Sequence, residues 1–179
     1  KNYFEQMDAI GVEKPDLTPK ATQYLDAIYA MIQTLLDKGY AYKTANGDIY
    51  FDTAKDVLYG SLSQKNEDES QTRARVVANE AKKNPKDFAL FKADASEYSF
   101  DAPFGKGRPG WHIECSAMIE KLFGKQIDIH GGGADLIFPH HENEAAQTRC
   151  ACARPIAKYW MHNGFVRIGG EKMSKSLGN

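Results

Sequence analysis

Two imidazoles and two carboxylates occupy the five positions from His140 to Glu144, directly after Pro139. Proline suits the first turn of a helix, so we predict that a helix starts at Pro139 and runs to about residue 152. In that helix His140 and Glu144 are four residues apart and project from one face. Histidine and carboxylate are zinc ligands when a third donor lies nearby, so this face is a candidate metal site.

The third donor is a thiol in a second predicted helix. Apolar spacing predicts a helix from Trp111 to Phe123, closed by Gly124, and Cys115 lies in its first turns. Cys115 can converge with His140 and Glu144 if the two helices meet at their ends. Spacing alone does not separate His140 from His141. The competing interpretation is that one histidine caps or stacks while the acids face solvent.

A zinc ion with three protein ligands would keep one position open for a substrate. Zinc deprotonates a coordinating thiol outright, whereas an alcohol binds far more weakly. A pocket that works by shape discriminates poorly between such small side chains. The metal would therefore let the protein recognise a cysteine substrate by its sulfur.

Two further motifs are compatible with nucleotide binding. The glycines that follow His130 lack the Gly-x-Gly-x-x-Gly spacing of dinucleotide sites, but they would let a flat ligand approach the backbone. Asp135 can accept hydrogen bonds from ribose hydroxyls, although a tight turn with a capping aspartate explains these residues alone. Lys172 and Lys175 form a basic loop that is ordinarily solvated surface. Its place after the last predicted strand favours phosphate binding.

Composition adds broad limits. The 179 residues carry a net charge of −1, so any contact with nucleic acid must be local. No apolar run approaches the roughly 20 residues of a membrane span. Three cysteines without disulfide-like spacing favour a reducing compartment, which we take to be the cytoplasm. Cys150 and Cys152 are interpreted as buried thiols. Because Lys1 is not an initiator methionine, we expect a piece of a longer protein.

The first part of the chain predicts packing elements without chemistry. We expect a helix end over 1–12, closed by Gly11, and a helix that starts at Thr18 and Pro19 and ends at Gly39. Asn46-Gly47 predicts a β-hairpin, and residues 87–92 predict a strand. Residues 64–85 are interpreted as a solvated connector, with a basic RNA-facing patch as the alternative. Glycines and prolines suggest a domain boundary near 100–108.

Beyond that boundary the pattern alternates between strand and helix. We predict strands over 126–130 and 158–162, a strand break at the glycines 131–133, and a turn-containing segment over 165–173. This order is typical of an open α/β sheet, whose ligands lie beyond the carboxyl ends of the strands. His130, the glycines and Asp135 fall at such an end.

Three motifs resemble a known family. Lys-Met-Ser-Lys-Ser at 172–176 is similar to the signature loop of class I aminoacyl-tRNA synthetases. Residues 110–118 and 128–144 resemble cysteinyl-tRNA synthetases, and the similarity spans nearly the whole chain. The resemblance implies the second half of a class I, Rossmann-like (HUP) nucleotide-binding fold, over 105–179. Residues 1–104 would form an α+β connective insertion.

The resemblance also implies roles for particular residues. It implies zinc bound by Cys115, His140 and Glu144, and so chooses His140 over His141. The family's fourth ligand, a cysteine, and its His-x-Gly-His motif are absent here. Trp111 and His112 would line the aminoacyl pocket. The ATP site would include His130, Gly132, Gly133, Asp135 and Lys175, and the catalytic lysines would be Lys172 and Lys175.

The implied activity is that of a cysteine--tRNA ligase. ATP, with Mg2+, would activate cysteine to cysteinyl-adenylate, and the cysteinyl group would pass to tRNA(Cys). We expect a monomer without membrane contact, and we expect the fragment alone to be inactive. Two rival hypotheses are a cysteine ligase of mycothiol synthesis and a non-catalytic zinc- or RNA-binding module.

Overall fold

The computed structural model describes residues 2–64, 82–174 and 178 and has a mixed α/β architecture. Its helices are α1 (Asn2–Ala9), α2 (Leu25–Asp37), α3 (Trp111–Phe123) and α4 (Glu142–Cys152), with 3-10 turns at Ala21–Gln23 and Thr53–Lys55. Its strands are β1 (Ala41–Lys43), β2 (Ile49–Phe51), β3 (Phe88–Ala93), β4 (Phe100–Ala102), β5 (Gly105–Pro109), β6 (Ile127–Gly133), β7 (Ala157–Asn163), β8 (Arg167–Ile168) and β9 (Glu171–Lys172). The predicted connector over 64–85 lies mostly outside the described residues.

Five strands form an antiparallel sheet in the order β1-β2-β3-β5-β4. The predicted hairpin is confirmed, because Tyr42 pairs with Tyr50 across a turn in which Gly47 has a φ of +91°. The strand predicted over 87–92 is also confirmed, as β3. Over residues 100–108, near the expected domain boundary, β4 and β5 form a second hairpin, and β5 pairs with β3. The expected division at 104/105 therefore falls inside that hairpin.

Helix α2 packs on this sheet and forms the centre of the core. Ile28, Ile32 and Leu35 are fully buried and belong to one cluster with core residues of the sheet and of α3. The end of the helix near Gly39 is confirmed, but its predicted start at Thr18 is wrong. No side chain caps α2, and the helix begins only at Leu25. Residues 18–20 are exposed, so no apolar packing holds them in a helix.

The antiparallel sheet and helix α2 form the first layer of the molecule. The second layer is a parallel pair, β6 and β7, connected through α4. Both strands were predicted, but the predicted break at the glycines is wrong. Residues 131–133 continue β6 and pair with Met161, His162 and Asn163 of β7. At Gly132 a Cβ atom would lie 2.9 Å from His141 Cε1. The glycine therefore serves close packing in an extended strand, a role that sequence pattern does not distinguish from a turn.

The remaining elements lie at the two ends of the described chain. α1 confirms the predicted N-terminal helix, and the short β8–β9 hairpin confirms the predicted turn segment. Within the described residues, no helix combines the length and the apolar character that a membrane span requires.

Candidate metal centre and nucleotide-facing edge

The first turn of α3 is fixed against the antiparallel sheet. Gly110 precedes the helix and donates its backbone N–H to the carbonyl of Leu90 at 2.8 Å. A Cβ atom on Gly110 would overlap the carbonyl oxygen of Ala89, so only glycine permits this approach. The arrangement directs Trp111, His112 and Cys115 toward the start of α4.

The turn before α4 is irregular. Phe138 has an extended backbone that interrupts the helical turn over Ile137–His141, and the residues after it have helical dihedrals that continue into α4. The predicted helix start at Pro139 therefore agrees with the backbone, although regular α-helical hydrogen bonding begins at Glu142. The expected geometry follows, since His140 Nε2 lies 2.7 Å from Glu144 Oε1.

Three predicted residues come together where the two helices meet. The ligand atoms of Cys115, His140 and Glu144 all lie within 4.8 Å of one another, and His140 and Glu144 are buried. In the part of the chain that the structure describes, the only other such group joins His130, His141 and Glu144. Glu144 thus lies at the centre of both groups. Cys115 groups with His140 and not with His141, which matches the choice that the resemblance implied.

The Glu144 carboxylate is buried without an aligned hydrogen bond. His130 Nε2 lies 2.8 Å from Oε2 and His140 Nε2 lies 2.7 Å from Oε1. Neither oxygen has a partner with hydrogen-bond geometry, although the side chain is only 1% exposed. Burial opposes its ionisation, but the two neighbouring rings hold the pKa of Glu144 below its ordinary value. A buried carboxylate that stays ionised and lies among imidazoles and a thiol is suited to binding a cation.

The chemistry of the donors fits zinc. Thiol, imidazole and carboxylate in one group are the ligand types that zinc takes in proteins. Burial raises the pKa of the Cys115 thiol to about 12, and the negative charges of Glu144 and Glu114 add to this. Without a cation the thiol therefore keeps its proton. A metal ion would displace that proton and satisfy the Glu144 oxygens at the same time.

The two predicted pocket residues contact His140. The Trp111 ring stacks on the His140 ring with centroids 4.1 Å apart, while 58% of Trp111 remains exposed. His112 Nδ1 lies 2.8 Å from His140 Nδ1. Burial, together with the nearby His140, lowers the pKa of His112 to about 4, so its ring is neutral near pH 7. A neutral His112 can accept the Nδ1 proton of His140 and so orient that ring.

The predicted ATP residues lie along the end of β6. His130 contacts Glu144, so it also borders the metal group. Gly132 and Gly133 are the last residues of β6. Asp135 forms an ion pair with Lys172 at 2.7 Å, in which both side chains are about half exposed. This pair brings the predicted ribose-facing carboxylate and one predicted phosphate-binding lysine together, whereas Lys175 lies outside the described residues.

Sequence reasoning missed several polar contacts around this centre. His141 Nδ1 lies 2.7 Å from His162 Nε2 on β7, and burial lowers the pKa of His141 to about 4. Glu142 and Asn143 are also buried, whereas the competing interpretation of this segment had the acids facing solvent. The unusual density of polar residues at 140–144 was the available signal. It could not say which residues contact protein and which contact a ligand.

Comparison with known proteins agrees with the motifs. The chain matches the family described as tRNA synthetases class I (C) catalytic domain over residues 1–179. It is 62% identical over 185 residues to a protein named cysteine--tRNA ligase from a Sulfurovum species, and 63% identical over 186 residues to one from a Nitratiruptor species. A cysteine--tRNA ligase from Helicobacter pylori is 55% identical over 186 residues.

These matches cover all of this chain but only 40% of each of those three relatives. Their names do not favour either rival hypothesis, the mycothiol-type ligase or the non-catalytic module. Because the family match extends over every residue, the chain belongs to the class I (C) tRNA synthetase catalytic domain family.

Proposed function

We propose that this chain is part of a cysteine--tRNA ligase, which activates cysteine with ATP and transfers it to tRNA(Cys). The single observation that carries the proposal is the convergence of Cys115, His140 and Glu144 within 4.8 Å. The family resemblance of the sequence motifs had already implied these three residues as ligands. The names of the relatives, which cover this chain completely, support the same activity.

In the proposal Cys115, His140 and Glu144 hold a zinc ion. When bound, zinc would coordinate the substrate thiolate and so favour cysteine over amino acids that lack a thiol. Glu144 supplies negative charge from a buried position. His112 orients His140 through the Nδ1 contact. The exposed face of Trp111 lies beside the centre and forms one wall for the aminoacyl group.

In the proposed adenylation step, the lysines and the end of β6 bind ATP. The cysteine carboxylate oxygen attacks the α-phosphorus, the bond to the bridging oxygen breaks, and pyrophosphate leaves. A ribose hydroxyl of the tRNA 3′ end then attacks the acyl carbon, and AMP leaves. Lys172 and Lys175 neutralise phosphate charge, while His130, Gly132, Gly133 and Asp135 face the adenosine. Catalysis then comes from positioning and charge stabilisation, with Mg2+ bound to the nucleotide.

The proposed fold for residues 105–179 is the second half of a nucleotide-binding domain, and residues 1–104 are the connective insertion. The support is the parallel β6–β7 pair. Parallel sheets are normally buried on both faces, yet Ile129, Tyr159 and Met161 are more than half exposed here. Further strands and helices of the whole ligase would cover them. We propose that the ligase is a cytoplasmic monomer.

The test uses the full-length ligase and its Cys115→Ser variant. We expect about one zinc per wild-type molecule and cysteine-dependent exchange of pyrophosphate into ATP. The variant should lose the metal and most of the exchange, because serine is a poor zinc ligand. Cys150→Ser is the matched control, since Cys150 is a buried thiol that belongs to neither metal group. Full zinc and full exchange in Cys115→Ser would overturn the proposed site.

A further inference from the structure

The loop over residues 56–63 docks on the first turns of α4, beside the candidate metal centre. We call it the docking loop. It follows the short turn Thr53–Lys55 of the first layer, whereas α4 belongs to the second. Its contacts are made with three residues of α4 that are not candidate ligands. Those residues are Glu142, Asn143 and Arg149.

Glu142 is the main anchor. It is fully buried, and each of its carboxylate oxygens accepts one backbone N–H from the docking loop. Gly60 donates to Oε1 at 2.9 Å, and Ser63 donates to Oε2 at 2.8 Å. Glu142 lies in the first turn of α4, between His140 and Glu144 in sequence. A rigid carboxylate at this position fixes the backbone that carries both candidate ligands.

Two further contacts hold the same loop. Tyr59 donates its hydroxyl to Asn143 Oδ1 at 2.6 Å, and Arg149 binds the buried Asp56 carboxylate through both Nε and Nη2. The Tyr59 ring also stacks on Phe88, whose ring contacts His112 edge to face. The docking loop thus reaches the centre from two sides, through α4 and through His112.

We propose that the docking loop, through Glu142, is a positioning device for the metal-binding turn, an inference that rests on the proposed function. Glu142 is a positioning residue and does not touch the substrate. Groups that hold metal ligands in place typically change metal affinity or activity about 10–100-fold when they are removed. The loop belongs to the proposed connective insertion, so the insertion holds the geometry on which selection of the thiol depends.

The test is Glu142→Gln in the full-length, zinc-loaded ligase. Glutamine keeps the volume, but its NH2 group must face one of the two loop amides and leave that N–H without an acceptor. We expect the variant to release zinc to an excess of a chromogenic chelator about 10–100-fold faster than the wild type does. The kcat/KM for cysteine should fall, with the loss mainly in KM for cysteine and not in KM for ATP.

Tyr59→Phe provides a milder second variant, which decides the question if Glu142→Gln does not fold. It removes one hydroxyl and keeps the aromatic stack, so zinc release should accelerate about threefold to tenfold. Asp48→Asn is the matched control. Asp48 is also a buried carboxylate that accepts a backbone N–H, from Ala93, but its hydrogen bonds lie in the first layer. Its zinc release should equal that of the wild type.

The outcomes separate the two proposals. The positioning role is overturned if Tyr59→Phe, and any folded Glu142→Gln, release zinc at the same rate as Asp48→Asn. The proposed metal site would still stand in that case. A wild-type ligase that purifies without zinc and cannot bind it would overturn the proposed metal site, and the positioning role with it.

Discussion

Two buried carboxylates of this molecule, Asp87 in the first layer and Glu144 in the second, have opposite surroundings. In the first layer Asp87 is 1% exposed and accepts four hydrogen bonds, from the Thr53 backbone and hydroxyl, the Tyr42 hydroxyl and the Asn84 backbone. In the second layer Glu144 is equally buried, yet neither oxygen has an aligned donor.

The comparison separates a carboxylate that supports the fold from one that is a candidate ligand. A carboxylate that backbone amides and hydroxyls satisfy stabilises the fold without further help. A carboxylate surrounded by two imidazoles and a thiol is instead a candidate ligand for a cation. Burial alone therefore does not identify a site, whereas the donors around the buried group do.

The largest expected effect is on Glu144. In the full-length form of the proposed ligase, Glu144→Gln should lose the proposed zinc, and kcat/KM for cysteine should fall at least on the order of 100-fold, because both candidate groups include this carboxylate. Because the two neighbouring rings lower the pKa of Glu144, the ionised carboxylate also stabilises the fold, so the zinc-free variant should be less stable than the zinc-free wild type at pH 7. A variant that keeps its zinc and its kcat/KM for cysteine would contradict the comparison.

The second prediction concerns Asp87. Asp87→Asn should lower the local unfolding free energy of the β1–β3 region by about 2–3 kcal/mol, because an amide cannot accept all four donors. Hydrogen exchange of the backbone amides in 41–51 measures this directly. Zinc content and KM for cysteine should not change. Loss of zinc in this variant would show that the effect of Asp87 is not confined to the β1–β3 region.

The smallest effect is a pH dependence at Asp48. Burial opposes ionisation of this carboxyl, but hydrogen bonds from Lys92, from the Ala93 N–H and from the Tyr50 hydroxyl lower its pKa below 3.8. The folded-state pKa is thus below the unfolded value, so the ionised group stabilises the fold above about pH 4. That contribution is lost as the pH falls through the folded-state pKa.

Asp48→Asn should therefore be about 1–2 kcal/mol less stable than the wild type at pH 6, and the difference should shrink below pH 4. Denaturant unfolding of both full-length proteins at each pH gives the difference. Loss of zinc in acid lowers the unfolding free energy of both proteins equally, so it cancels in the difference between them. A gap that stays constant between pH 6 and pH 3 would show that ionisation of Asp48 does not contribute.

Local signals in the sequence predicted most elements. Gly124 follows α3 with a φ of +59°, and Asn46-Gly47 turns the first hairpin. These features depend on backbone preferences of single residues, which act wherever the residue lies. The predictions that were wrong concern features that depend on packing. The start of α2 and the path of residues 131–133 depend on which neighbours pack there, and local preference carries no such information.

For the candidate site, the sequence by itself supplied the chemistry: a thiol, imidazoles and carboxylates at helical spacing, and a lysine-rich loop. The resemblance then selected Cys115, His140 and Glu144. Only the tertiary structure decided that these three meet, that His130 lies against Glu144, and that the docking loop holds Glu142. The physical reason is that each of these contacts joins elements distant in the chain, and their relative placement is set by packing of the two layers.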